Sequence, residues 1–214
     1  CGAKFAKARY LSHSHSGKTL KILSEGETIE LKYRSLILAN GFSHAGRNMF
    51  ISPYSIATNE IIEGESPYPE SLLFVFESGE MNGYYWIFPM PGGRLNVGAG
   101  AVTHLKNIKE KLLRFKKKHS LSGKVIERGC GVIPLFPSIF PDSNGAVHFG
   151  NSAGMVQPIT GEGLKYICRN AAIFADMISK GQGGVNSYWL SSKCFWKLFI
   201  ASVILRICFC GGNS

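Results

Sequence analysis

A chain of 214 residues with 45% hydrophobic and 18% charged content carries enough apolar surface for a packed core, which excludes a disordered or fibrous protein and predicts one or two globular lobes. Its net charge of +10 favours anionic partners, but no recognition motif is present and the basic residues are not interleaved with aromatics, which argues against nucleic acid. The cysteines at positions 1, 130, 168, 194, 208 and 210 form no Cys-x-x-Cys pair and no spacing with His that would hold zinc, so they read as reduced thiols of a cytoplasmic protein, with no metal site.

The chain opens on Cys1 with a basic, strand-like stretch that lacks the apolar run of a signal peptide, and an N-terminal portion is expected to precede it. Thr19 to Ser24 and Thr28 to Tyr33 flank Glu25-Gly26-Glu27 as a hairpin, and Ser35 to Ala39 reads as a buried strand that ends at "ANGFSHAGR". After a connection containing Pro and Ser, strands are predicted at Leu72 to Glu77, Tyr84 to Pro89 and Arg94 to Ala101. The turns Glu80-Met-Asn-Gly83 and Pro91-Gly-Gly93 make these three an antiparallel meander. In the middle strand, period-two alternation puts Tyr84, Trp86 and Phe88 on one face and Tyr85 and Ile87 on the other. Such an aromatic row is either core or a wall beside a cavity for a long apolar ligand.

Gly98-x-Gly100-x-x-Thr103 superficially suggests a dinucleotide fingerprint, but its third glycine is Thr103 and no acidic residue follows to hold a ribose, so it is rejected. His104 to His119 has seven Lys or Arg against the single acid Glu110. Its residues Leu105, Ile108, Leu112 and Phe115 recur at helical spacing, which predicts a helix with one apolar stripe and one basic face. That face is either simply solvated or attracts an anionic membrane or phosphorylated substrate.

Gly145 to Gly150 reads as a short strand, and a helix is predicted from about Gly161 to Lys180, with Leu164, Ile167, Cys168, Ala171, Ala175 and Ile178 on its apolar face. The joint between them, "FGNSAGMVQPITGEGLKY", carries four glycines. Gly161 and Gly163 remove side chains where the first free N–H groups of the helix point outward, an arrangement suited to a phosphate or a developing negative charge, or to a tight turn alone. Beyond it, Tyr188 to Cys210 is the most apolar stretch. Its longest uncharged run after Lys197, Leu198 to Leu205, has eight residues, far short of the roughly 20 needed to cross a bilayer. It reads as a helix buried against the lobe that holds the predicted meander, or as one in the membrane interface with Trp189, Trp196, Lys197 and Arg206 at headgroup level.

Three segments carry a resemblance. The joint and the helix after it resemble the Gly-Asp-Ala-Ala-Gly, Pro-x-Thr-Gly-Glu-Gly and long-helix segment of the geranylgeranyl reductase family of flavoproteins, which fold like p-hydroxybenzoate hydroxylase. Tyr84-Tyr-Trp86-Ile-Phe88-Pro89, eight residues, then Gly98-Ala-Gly100 is similar to that family's Tyr-x-Trp-x-Phe-Pro and Gly-x-Gly pattern. Ala39 to Arg47 resembles its Ala-Asp-Gly-x-x-Ser-x-x-Arg motif, with Asn40 and Asn151 where the family has Asp, and with His44 where it has Ser.

The resemblance implies an α/β fold, the C-terminal part of an FAD-binding domain with an antiparallel substrate-lobe sheet. Its expected divisions are 1–50 and 129–184 for the FAD-binding domain, 51–128 for the sheet and basic helix, and 185–214 for an apolar C-terminal helix. It further implies FAD held by Asn40, Arg47, Gly150, Asn151, Ala153, Gly154, Pro158, Thr160, Gly161, Glu162, Gly163 and Leu164. An isoprenoid lipid or prenylated substrate would lie against Tyr84, Trp86, Phe88, Pro89, Gly98 and Gly100. The implied reaction is reduction of the carbon–carbon double bonds of geranylgeranyl chains, fed by NAD(P)H or a ferredoxin-like donor, on a cytoplasmic protein peripheral to the membrane. The alternatives are a flavin-dependent monooxygenase or halogenase, and a non-catalytic lipid-binding derivative. No residue identifies itself as the proton donor.

Overall fold

The computed structural model describes residues 2–42, 54–77, 81–102, 105–138, 142–143, 145–181 and 185–205. Its N-terminal part is an antiparallel sheet of β1 (Arg9–Ser14), β2 (Thr19–Ser24) and β3 (Glu27–Lys32). The predicted hairpin is its β2–β3 half, with Ser24 opposite Glu27 across the Glu25-Gly26 turn. β4 (Ile37–Leu38) pairs in parallel with β11 (Ala146–His148), which β10 (Asp142–Ser143) flanks.

A five-stranded antiparallel sheet fills the middle of the molecule. It consists of β5 (Tyr54–Glu63), β6 (Leu73–Val75), β7 (Gly83–Met90), β8 (Arg94–Ala101) and β9 (Val125–Pro134), in the order β6-β7-β8-β5-β9. The β6-β7-β8 meander and the Pro91–Gly93 turn are as predicted. Part of the predicted turn before Gly83 lies outside the described residues. β5, which the sequence reading treats as a connection, instead joins the meander to β9, pairing with β8 from Ile56 to Glu63 and with β9 from Tyr54 to Ile62. β9 runs unbroken across the expected division at 128/129.

Helix α1 (Leu105–Lys118) lies on one face of this sheet. Its stripe of Ile108, Leu112 and Phe115 is buried against Tyr85, Ile87, Leu95 and Val97, with Phe115 stacked on Tyr85 at a centroid distance of 4.1 Å. Two ion pairs pin its basic side to the sheet, Lys116 to Glu60 at 2.5 Å and Lys118 to Glu77 at 2.7 Å. Arg128 of β9 shares the Glu60 carboxylate at 2.9 Å. Burial pushes the Glu60 carboxyl up, but its hydrogen bonds to Lys116 and Arg128 outweigh that and hold it below its ordinary value.

A second core joins α2 (Leu164–Ser179), α3 (Val185–Ser191) and α4 (Lys193–Leu205) to β11 and the 3₁₀ turn Gly150–Ala153. The α2 face is corrected here. Phe174 and Asn170 are buried, with Tyr166, Ile167, Met177 and Ile178 partly so, whereas Leu164 is 75% exposed and Cys168, Ala171 and Ala175 are exposed. The bulky aromatic side won because Phe174 packs edge-on against Trp189 and Tyr188. The C-terminal helices are therefore buried, but in the core of α2 and β11 and not against the five-stranded sheet, which corrects the lobe expected for them. Trp189 is fully buried with its indole N–H on the Ser138 carbonyl, so it is not at a headgroup level. Arg206 lies outside the described residues. Among those residues, no helix is long and apolar enough to cross a membrane.

Candidate functional site: an aromatic-walled cavity at a helix start

The alternation in β7 is borne out. Tyr85 and Ile87 are buried toward α1, and Tyr84, Trp86 and Phe88 line the opposite face. Phe74 packs edge-on against both Tyr84 and Phe88, and Phe76 lies 5.5 Å from Tyr84 between ring centroids. Together they wall a cavity of about 410 Å³, whose other sides are Ser55 and Ala57 of β5, Gly100 of β8, Ile133 and Leu135 near the end of β9, and the loop Pro158–Glu162. The aromatic row thus walls a cavity and is not closed core. Trp86 is fixed in place by a polar clamp, since its indole N–H donates to Asn96 Oδ1 at 3.0 Å and Asn59 donates to the same oxygen at 3.2 Å.

The loop that roofs the cavity is closed on itself by Gln157. Its side-chain oxygen accepts from the N–H groups of Ile159 and Thr160 at 2.5 and 2.9 Å, and its backbone pairs with Gly161 and Glu162. Gly161 adopts φ +71°, a left-handed conformation that favours glycine. The Tyr84 hydroxyl donates to the Thr160 carbonyl and so ties wall to roof. Burial pushes the Tyr84 phenol above its ordinary value, so it stays protonated and keeps this bond at neutral pH.

Because Gly161 donates within the loop and Glu162 donates to the Thr160 hydroxyl, the donors left at the start of α2 are the N–H groups of Gly163, Leu164 and Lys165, for which no partner is recorded among the described residues. Of the two glycines at which the sequence places the first free N–H groups, Gly163 carries one and Gly161 does not. Asn151 is adjacent: a Cβ on Gly163 would sit 3.7 Å from Asn151 Oδ1 and 3.3 Å from the Met155 carbonyl. The parallel register of Leu38 with His148 sets Asn40 and Gly150-Asn151 at the same carboxyl end of the β4–β11 pair, the position where open parallel sheets hold ligands. Ser152 bonds this end together, donating to Leu38 O at 2.5 Å and accepting from the Phe149 N–H at 3.0 Å.

Pro158, Thr160, Gly161 and Glu162 border the same cavity as Tyr84, Trp86, Phe88 and Gly100, so two segments far apart in sequence meet. Of the other expected site residues, Asn40, Gly150, Asn151, Gly163 and Leu164 do not border it, and four more are turned away from it or covered. Ala153 is wholly buried in the second core, and a Cβ on Gly154 would strike the Phe136 carbonyl, so both serve packing. Pro89 is on the α1 side, opposite Leu95. Gly98 lies beneath the Trp86 indole, whose ring occupies the place a Cβ would take. Arg47, with the rest of its motif from Ser43, lies outside the described residues. The reading missed Phe74, Phe76, Ser55, Ala57, Ile133 and Gln157. The β-branched run Ile56, Thr58, Ile61, Ile62 was a usable signal for β5, while Gly129 and Gly131 disguised β9.

No family model matches the chain. It is 33% identical over 134 residues to a digeranylgeranylglycerophospholipid reductase of Methanothermobacter thermautotrophicus, covering 58% of this chain and 33% of that protein. It is 30% identical over 162 residues to the protein of the same name from Methanosarcina acetivorans, covering 69% and 40%. Among solved structures, a geranylgeranyl bacteriochlorophyll reductase-like protein of Thermoplasma acidophilum superimposes with a TM-score of 0.67 at 22% identity, over 93% of this chain and 53% of the other. The chain is related to the geranylgeranyl reductases. A flavin-dependent brominase aligns with a TM-score of 0.61 at 12% identity over 96% of this chain, which shows a shared fold. The chain spans between a third and a half of the length of the reductases it matches.

Proposed function

We propose that this chain forms the substrate-binding and flavin-facing part of an FAD-dependent oxidoreductase that saturates carbon–carbon double bonds in geranylgeranyl or related isoprenoid chains of lipids or quinones. The observation that carries the reading is the placement of an aromatic-walled apolar cavity against the start of α2, with Thr160 and Gly161 shared between them. An isoprenoid offers no polar handle, so it is held by burial, at about 25 cal/mol per Å², and the rings of Tyr84, Trp86 and Phe88 supply that surface. The likeness to named geranylgeranyl reductases supports the substrate class.

The residues present fit a flavin. Three unpaired N–H groups and the positive end of α2 suit an electron-rich ring edge at Gly163 and Leu164. Asn40, Gly150 and Asn151 would meet the ribityl–diphosphate chain. FAD, when bound, would supply the hydride for alkene reduction. The chain's own residues bind the tail, exclude water from it, and hold the roof loop through the Tyr84 hydroxyl. On this reading the five-stranded sheet with α1 is the substrate lobe, and β4, β10, β11 and α2 belong to the cofactor lobe. The exposed cations Lys106, Lys109, Arg114 and Lys117 of α1 would hold the protein peripherally on anionic lipid.

The test is the absorbance spectrum of the purified full chain with FAD, followed by reduction in the presence of a geranylgeranyl lipid and mass analysis of the product. A bound flavin and a mass gain of one H₂ per saturated bond are expected. Comparison of NAD(P)H with a ferredoxin-like donor, by which one bleaches the flavin, identifies the electron source. Substrate-stimulated oxygen consumption without saturation would instead make it a monooxygenase or halogenase. A protein that binds isoprenoid but never FAD would be a lipid-binding derivative, the reading that Asn40 and Asn151 favour by removing two acidic groups.

A further inference from the structure

The cavity floor has an uneven relief that follows from which strand positions are glycine. On the cavity face, one cross-strand row runs Trp86, Gly98, Asn59, Gly129, and the next runs Tyr84, Gly100, Ala57, Gly131. In the first row the glycines are covered, because Trp86 lies over Gly98 and Asn59 lies over Gly129. The second row is different. A Cβ on Gly100 would make only ordinary contacts, 3.7 Å to Trp86 and 3.9 Å to Ala57, and one on Gly131 would meet nothing within 4 Å. Gly100 and Ala57 both border the cavity.

This bare patch has walls and a roof. Tyr84 rises on one side and Ile133 on the other. Gly161 spans them, its Cβ position lying 3.5 Å from the Tyr84 hydroxyl and 3.6 Å from Ile133 Cδ1. A trough two strands wide therefore passes beneath the roof loop, and its depth exists only because its floor carries a hydrogen and a methyl group. Gly100 has ordinary strand conformation with no positive φ, so no backbone constraint requires glycine there. A side chain there would project into the cavity instead.

We propose that Gly100, with Ala57 beside it, is the specificity-determining position of the cavity: it sets how long an isoprenoid tail can be by letting the chain pass under Gly161. Gly98, two residues earlier in the same motif, has the separate role of seating Trp86. The inference rests on the isoprenoid reading proposed above. A side chain at position 100 closes the trough and confines a tail to the part of the cavity beside Phe74 and Phe88.

The experiment measures binding of geranylgeraniol (C20) and geraniol (C10) to the full chain by titration calorimetry, with thermal unfolding in parallel. Gly100→Val is expected to weaken C20 binding roughly tenfold or more, the scale of a misfitted methylene or two in an apolar pocket, while C10 binding and Tm are retained. Gly131→Val introduces the same side chain in the same row at an exposed edge outside the cavity, and should leave both affinities unchanged. If Gly100→Val binds C20 as wild type does, or loses both probes equally, the assignment to Gly100 is wrong while the isoprenoid reading stands. If wild type binds neither probe, that reading fails and the inference falls with it.

Discussion

Trp86 shows how a single side chain links sequence motif to site. It lines the cavity, covers Gly98 and donates to Asn96, which explains why an indole and a glycine occur together on neighbouring strands. Trp86→Ala is expected to cost about 1–3 kcal/mol in stability, below the full cost of a deeply buried Trp because this one is half-buried, and to weaken isoprenoid binding more than flavin uptake. Calorimetry with the alcohol probes and flavin absorbance separate the two effects. Gly98→Ala forces the ring off its seat and should cost about 1–3 kcal/mol as overpacking, read as a lower Tm. Tyr84 gives a pH signature. Its folded value is raised by burial above the ordinary 10.0, so above pH 10.0 the unfolded chain ionises first and stability falls as pH rises. Tyr84→Phe should reduce that alkaline loss without removing it, because Tyr10 and Tyr166 are raised as well.

At the scale of elements, α1 was readable because its apolar spacing coincides with the face that packs, and the charges between were free to be basic. What periodicity could not show is that Lys116 and Lys118 turn back to Glu60 and Glu77, so the helix carries fewer solvated cations than its count implies. Lys116→Met leaves Glu60 only Arg128 and should cost about 1.5–3 kcal/mol, the range for hydrogen bonds to charged groups. Glu60 is held below its ordinary 4.5, so its contribution is present above that value and is lost as pH falls through the lowered one. The variant should shift the acid unfolding midpoint upward, which circular dichroism against pH would detect. In α2 the helix was legible but its buried face was not, because two faces of comparable hydropathy compete and only the positions of Trp189 and Tyr188 decide between them.

Over the whole molecule, β4 is an edge strand that pairs only with β11 among the described residues, and the Leu164, Cys168, Ala171 and Ala175 side of α2 is exposed. Membrane association is a separate question with its own test. Removal of residues 188–214 would take away Trp189, Phe195 and Leu198 from the core, so it tests folding as much as lipid contact. Charge reversal of Lys106, Lys109, Arg114 and Lys117 is the cleaner variant. It should abolish flotation with anionic vesicles at low salt, while Trp196→Ser and Ile200→Ser, on the exposed side of α4, should weaken it partially. Equal flotation with neutral and anionic vesicles would count against the electrostatic account.

Local pattern was enough to read the β2–β3 hairpin, the meander, the alternation of Tyr84 to Phe88, the stripe of α1 and the strand–loop–helix joint. Each is set by residues close in the chain whose periodicity or turn chemistry has one solution. The same patterns left open whether the aromatic row was core or wall, because alternation fixes a face and not what lies beyond it. Tertiary structure decided that by bringing Thr160 and Gly161 over Tyr84. It also decided that β5 completes the sheet, that Gly98 is covered while Gly100 is bare, and that the open donors begin at Gly163. All of these depend on which strand lies beside which, and that order is fixed by contacts far apart in sequence that no short window contains.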